Sequence, residues 1–171
     1  IPRNLIGKDG LYGPIPNRLY PIFRDRDELA GAAQLGPLIE QALQDSSHLI
    51  VLCSPHAVRS RWVNEEIRLF KAMGKADRVL CIVLDGEPMA EDTNGDPEDE
   101  CLPLAARRKV DDQGNILHEI FEPGAADLRS SGDGEKDAML KIVAGLLGVG
   151  LDEIKQRDIL ARQRRLVRIT S

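Results

Sequence analysis

Apolar residues along this chain fall into two kinds of run. Unbroken runs, LIVLC at 49–53 and VLCIVL at 79–84, have the length and β-branched content of strands buried on both faces. Other stretches are periodic. Val63, Ile67 and Phe70 recur at i, i+4 and i+7, which makes a helical stripe. Ser54 offers an N-cap oxygen and Pro55 a pre-set φ, so the first run is predicted to turn straight from strand into helix. Gly74 is predicted to end that helix. Gly36 and Pro37 open a helix with Leu38, Ile39, Ala42 and Leu43 toward the sheet, and residues 136–147 a second, with Met139, Ile142, Val143 and Leu146 inward. Leu19, Tyr20, Ile22 and Phe23 predict a strand that Pro21 confines to the sheet edge. Residues 102–110 read as a short helix with a basic end, and residues 116–121 as the last, weaker strand. Strands alternating with helices across short connections predict an α/β fold with an open parallel sheet.

The segments between are equally informative. Residues 1–17 are rich in Gly and Pro, lack either period, and are expected to be loop that adds little core. Residues 24–33 form a charged, glycine-containing loop. Between Asp85 and Glu100 there are eight acids and no base, which predicts a mobile, solvated insertion. Asp92, Asn94 and Asp96 stand at alternate positions as in a calcium loop. Pro97 then occupies the place of the turn glycine and Pro103 that of the bidentate glutamate, so no metal site is expected. Residues 152–168 are helical in pattern and end in Arg162, Arg164, Arg165 and Arg168, a cluster that a helix C-terminus favours.

Composition narrows the function. With 171 residues, 42% hydrophobic and only 4% aromatic, the chain suits one domain with an aliphatic core. A formal charge of −5 and a pI near 5.3 argue against a nucleic-acid partner. Cys53 and Cys81 read as buried thiols of a reducing cytosol, and Cys101 as a lone thiol in a loop. Neither a secretory signal nor an 18-residue apolar run is present, so a cytoplasmic location is expected. There is no P-loop, dinucleotide fingerprint, nucleophile elbow or Cys/His metal spacing, and His48, His56 and His118 have no evident partners. Carboxylates remain. Trp62 and Glu66, four apart, share one helix wall after a strand's carboxyl end, where open α/β sheets place ligands. Taken alone, Glu66 is as ordinary a helix residue as Glu65 beside it.

Residues 48–70 resemble the third strand and following helix of a TIR (Toll/interleukin-1 receptor) domain, whose signature Ser, Trp and acid appear here as Ser60, Trp62 and Glu66. FRDRDEL at 23–29, followed by Ala30, Gly31, Ala32 and Ala33, resembles the BB loop of bacterial TIR domains, and residues 38–43 the helix after it. The resemblance covers residues 18–151. It implies a flavodoxin-like open parallel sheet flanked by helices, preceded by a loop at 1–17 and followed by a basic helical tail at 152–171. The first strand and helix of a TIR domain have no counterpart in the chain. That gap predicts either a longer biological chain or another segment in the slot.

The resemblance also implies chemistry. Many TIR domains cleave the nicotinamide–ribose bond of NAD, and their essential glutamate matches Glu66. Trp62, Ser54, Arg24, Asp25 and Phe23 are then the expected substrate contacts, with NAD as substrate rather than cofactor and no metal. The loop at 24–33 is the expected surface for homotypic self-association, which activates such enzymes in bacterial immunity or signalling. A non-catalytic TIR interaction module, with Glu66 silent, is the alternative. A phosphoacceptor receiver is excluded because Cys53 and Ser54 stand where its aspartate belongs. A tail of this kind leads, in related proteins, toward a membrane helix or a further domain, which would place the domain on the cytoplasmic face. Whether the product is ADP-ribose or a cyclic isomer stays open.

Overall fold

A computed structural model describes residues 1, 3, 5–23, 35–156 and 159–160. Arg24, Asp25 and the rest of the loop expected at 24–33 lie outside the described residues. The central sheet has three parallel strands, β3 (Leu49–Cys53), β4 (Val79–Val83) and β7 (Gly124–Asp127), with β4 in the middle. Leu49 pairs with Val79 and Cys53 with Val83, and Val83 in turn with Asp127. A short antiparallel hairpin, β1 (Asp9–Gly10) and β2 (Gly13–Pro14), precedes the sheet. β5 (Arg108–Val110) and β6 (Ile116–Ile120) form a separate antiparallel ribbon.

The two apolar runs are the strands expected of them, though only β4 is covered on both faces. In β3, Val51 and Cys53 are buried while Ile50 and Leu52 are 43% and 58% exposed. Among the described residues no strand pairs with the outer edge of β3. Residues 19–23 form no strand. Pro21 has no N–H to give a ladder, and Tyr20 and Ile22 lie 81% and 70% exposed, so nothing anchors that segment to a sheet.

Helices cover both faces. α1 (Leu35–Asp45) and α3 (Arg61–Phe70) pack against each other and bury Ile39, Leu43, Ile67 and Phe70 against β3 and β4. α5 (Gly134–Leu147) closes the opposite face, where Ala138 and Ile142 meet Leu80 and Ala126. Its inward stripe is offset from the expected one, with Ala144 and Leu147 buried and Met139 58% exposed. Small alanines let the helix approach the sheet closely, so they take core positions that larger side chains were expected to fill.

Three segments differ from their sequence expectation. The N-terminal stretch adds core: Leu5 and Ile15 are buried with Ala144, Leu147 and Ile154, and Leu11 N donates to Gly148 O at 3.1 Å. The last strand of the sheet is Gly124–Asp127, and the more strand-like residues 116–120 lie on the surface in the ribbon. The acidic stretch at 85–100 is exposed over residues 93–99, as expected of a solvated insertion, but is anchored at Ala90 and Glu100. Glu100, 1% exposed, accepts the N–H groups of Met89, Glu91 and Leu102 at 3.2, 3.2 and 2.8 Å. Arg107, 3% exposed, pairs with Glu91 and Asp92, and Arg108 with Asp92. The basic end of the residue 102–110 segment, α4 (Leu104–Arg107) and the start of β5, therefore neutralises acids that precede it. Cys101 is likewise core and not loop, fully buried with Cys53 and Cys81; burial pushes its thiol up to about 12.

Candidate active site

The helix expected at residues 55–70 is two helices, and the break explains the signature serine. Ser54 Oγ accepts Ala57 N at 3.2 Å and caps α2 (Pro55–Val58). Ser60 Oγ accepts Val63 N at 3.3 Å and caps α3. Each serine satisfies an amide that the first turn leaves without a partner. Restarting at Arg61 fixes which face α3 turns toward α1. Val63, Ile67 and Phe70 go inward, and Trp62, Glu65, Glu66 and Leu69 form the adjacent wall.

That wall closes one side of a cavity of about 400 Å³, a size that suits part of a nucleotide. Gly36, Pro37, Ile39 and Glu40 of α1 form the other side. Trp62 is 53% exposed, with the Arg61 guanidinium 4.9 Å from the ring centroid. A smaller hollow of about 260 Å³ adjoins it, lined by Arg61, Trp62 and Glu65. The structure thus brings Trp62 and Glu66 together as the sequence predicts. Ser54 and Phe23 do not line this cavity. Ser54 works as a helix cap, and Phe23 is 39% exposed at the end of the described N-terminal segment.

Glu65 and Glu66 are adjacent in sequence and different in setting. Arg68 binds Glu65 through two nitrogens, Nε at 2.8 Å and Nη2 at 2.5 Å, and its Nη1 donates to Gly114 O at 2.8 Å. These hydrogen bonds, with the nearby Arg68 and Arg61 charges, hold the Glu65 carboxyl below its ordinary range. Glu65 is therefore tied to the turn between β5 and β6. Glu66, half-buried, points its wall position into the cavity one step along the helix.

Beneath the cavity the two helices are fastened at their far ends. Past Phe70 the chain makes a π-helical turn, Lys71–Lys75, with Gly74 at φ +75°. That turn carries Lys75 to the C-terminus of α1, where its ammonium donates to the carbonyls of Leu43, Gln44 and Ser46 at 3.2, 2.8 and 2.8 Å. A cation on the last carbonyls of a helix satisfies acceptors and opposes the dipole. Glu40 and Lys75 are residues that the sequence reading did not single out. Glu40 becomes visible only once α1 lies beside α3. No group of metal-binding side chains occurs among the described residues, and no described helix is long and apolar enough to cross a membrane.

Residues 16–88 match the family model of the Thoeris protein ThsB, TIR-like domain. Over 155 residues the chain is 28% identical to a protein of Actinoplanes sp. named NAD(+) hydrolase ApTIR. That alignment takes in 89% of this chain and 21% of the relative, so the chain spans about a fifth of the relative's length. No solved structure matches the chain. The parallel sheet and the Ser60-capped helix that presents Trp62 and Glu66 agree with that match: over residues 16–88 the chain is similar to a TIR-like domain.

Proposed function

We propose that this domain is an NAD glycohydrolase in which Glu66 is the catalytic carboxylate. The observation that carries the reading is the cavity between α1 and α3, whose wall holds Trp62 and Glu66 side by side. The NAD(+) hydrolase named among its relatives supports the substrate. The chemistry suits one carboxylate. The bond between the nicotinamide nitrogen and ribose C1′ breaks with its electron pair going to the nitrogen, so the cationic ring leaves neutral and no general acid is needed. Positive charge develops on the ribose. A carboxylate that accepts hydrogen bonds from the ribose hydroxyls binds more strongly as that charge grows, which lowers the barrier. A water oxygen then bonds to C1′ and sheds a proton, giving ADP-ribose. Trp62 supplies a flat apolar surface for a ring. Arg24, Asp25 and Phe23 remain in the proposal as substrate contacts, and Ser54 acts through the helix it caps.

We place this activity in an assembled, bacterial immune or signalling setting, with self-association through the loop at 24–33. Exposure of Leu38 and Trp62, 52% and 53%, on neighbouring helices favours contact between copies. The same exposure favours the second reading, a homotypic binding module without chemistry. Nicotinamide release separates the two. Concentrated chain incubated with NAD is expected to release nicotinamide, with Glu66→Ala reducing the rate by about a hundredfold or more. Glu65→Ala is expected to retain activity within about tenfold, because it loosens Arg68 and leaves the cavity carboxylate in place. No release from folded, assembled wild type leaves the binding module standing.

A further inference from the structure

The cavity has a charge pattern that the glycohydrolase reading leaves unused. Of its three carboxylates, Glu65 is neutralised by the two-pronged Arg68 contact, and Glu66 is assigned to the ribose. Glu40 stands on the opposite wall, on α1, exposed to the cavity, and its carboxylate takes no hydrogen bond or ion pair among the described residues. Its neighbours in the lining are Gly36, Pro37 and Ile39, none of which can balance a negative charge. A flat ring bound against Glu40 would exclude water from one side of the carboxylate and so strengthen its attraction for a cation. The adjoining hollow has the opposite character, since Arg61 lines it and shares Trp62 and Glu65 with the larger cavity.

From this arrangement we propose that Glu40 is a specificity-determining residue that binds the positively charged pyridinium ring. The site thereby selects a cationic ring over its neutral counterpart. Trp62 adds the face of an indole, which attracts cations through its quadrupole and stacks on flat rings. The doubly charged diphosphate is repelled by Glu40 and leaves on the Arg61 side, so one substrate orientation is favoured. The selection has a chemical use. Once the glycosidic bond breaks, nicotinamide is neutral and loses its attraction to Glu40, which favours its departure. NADH, whose ring is neutral, is discriminated against for the same reason.

The choice of ligand rests on the glycohydrolase reading, yet binding is measurable without turnover. Trp62 is the single tryptophan of the chain, so saturable quenching of its fluorescence reports the cavity directly. The chain and its Glu40→Gln variant are titrated with 1-methylnicotinamide, a cation, and with nicotinamide, its neutral relative. Wild type is expected to bind the cation more tightly, and Glu40→Gln to lose about threefold to tenfold of affinity for the cation and none for nicotinamide. Glu40 is exposed and makes no contact that folding requires, and an unchanged thermal midpoint verifies the variant. Equal affinity of wild type for both compounds, or equal cation affinity in wild type and variant, overturns the proposal. With NAD, Glu40→Gln is expected to raise KM several-fold with kcat within about twofold, whereas Glu66→Ala removes kcat. Absence of nicotinamide release from wild type would refute the glycohydrolase reading, and the quenching comparison would still decide Glu40.

Discussion

At the scale of single residues, the buried charges define what the fold tolerates. Lys71 is 3% exposed, donates to Ala106 O and Arg108 O at 2.8 Å each, and lies 3.9 Å from the Phe121 ring centroid. Burial lowers its ammonium to about 8 from an ordinary 10.5, although the two carbonyls and the ring favour the charged form. Below pH 8 the group is protonated in folded and unfolded chains alike, and the cost of burying the charge is present in full. Between about 8 and 10.5 the unfolded chain holds a proton that the folded chain has released, so this group makes stability rise with pH. Denaturant midpoints of wild type are therefore expected to gain on those of Lys71→Met by up to about 3 kcal/mol across that window. Glu100 poses the converse case. Glu100→Ala strands three backbone amides and removes the acid 3.9 Å from the buried Arg107 Nε. A loss of about 3–5 kcal/mol is expected in equilibrium unfolding, with residues 87–100 the first to exchange amide hydrogens. Composition alone concealed Glu100, because an acid-rich stretch reads as solvated until Arg107 and Arg108 fold back onto it.

At the scale of elements, the wall of the cavity depends on how its two helices begin and end. Ser60→Ala removes the cap of α3 and is expected to cost about 1 kcal/mol in thermal unfolding. Because Trp62 stands in the first turn, the same variant should also blunt nicotinamide release. Lys75→Met frees three carbonyls at the C-terminus of α1. About 1–3 kcal/mol of stability is expected to be lost, with faster amide exchange confined to the last turn of α1 and the π-turn. The Trp62 and Glu66 wall was legible because the spacing of four places two side chains on one helical face regardless of the rest of the fold. The break at Arg59 and Ser60 was not, since Ser60 caps a helix only if the chain before it leaves helical geometry. β7 escaped notice for a related reason. Gly124, Ala125 and Ala126 have little strand propensity, and their small size is what the approach of α5 requires.

For the whole molecule, the α/β class and the two apolar strands were plain in the sequence, and the way the chain's beginning meets its end was not. Leu5 and Ile15 belong to a core shared with Ala144, Leu147 and Ile154, a long-range contact that no local period encodes. Leu5→Ala is expected to cost about 2–4 kcal/mol, read as a fall in the unfolding midpoint. Hydrogen bonds at the cavity wall should be unaffected, so nicotinamide release at low temperature is expected to persist. The chain also has an outer strand whose partner is absent among the described residues: β3 carries a row of backbone donors and acceptors with Ile50 and Leu52 beside it. Such an edge is a template on which any extended segment can add itself. Its consequence is practical. The shelf life of a purified solution should be set by this strand and not by the heat resistance of the core, so that clouding on storage grows steeply with concentration and a lysine at position 50 or 52 keeps the solution clear.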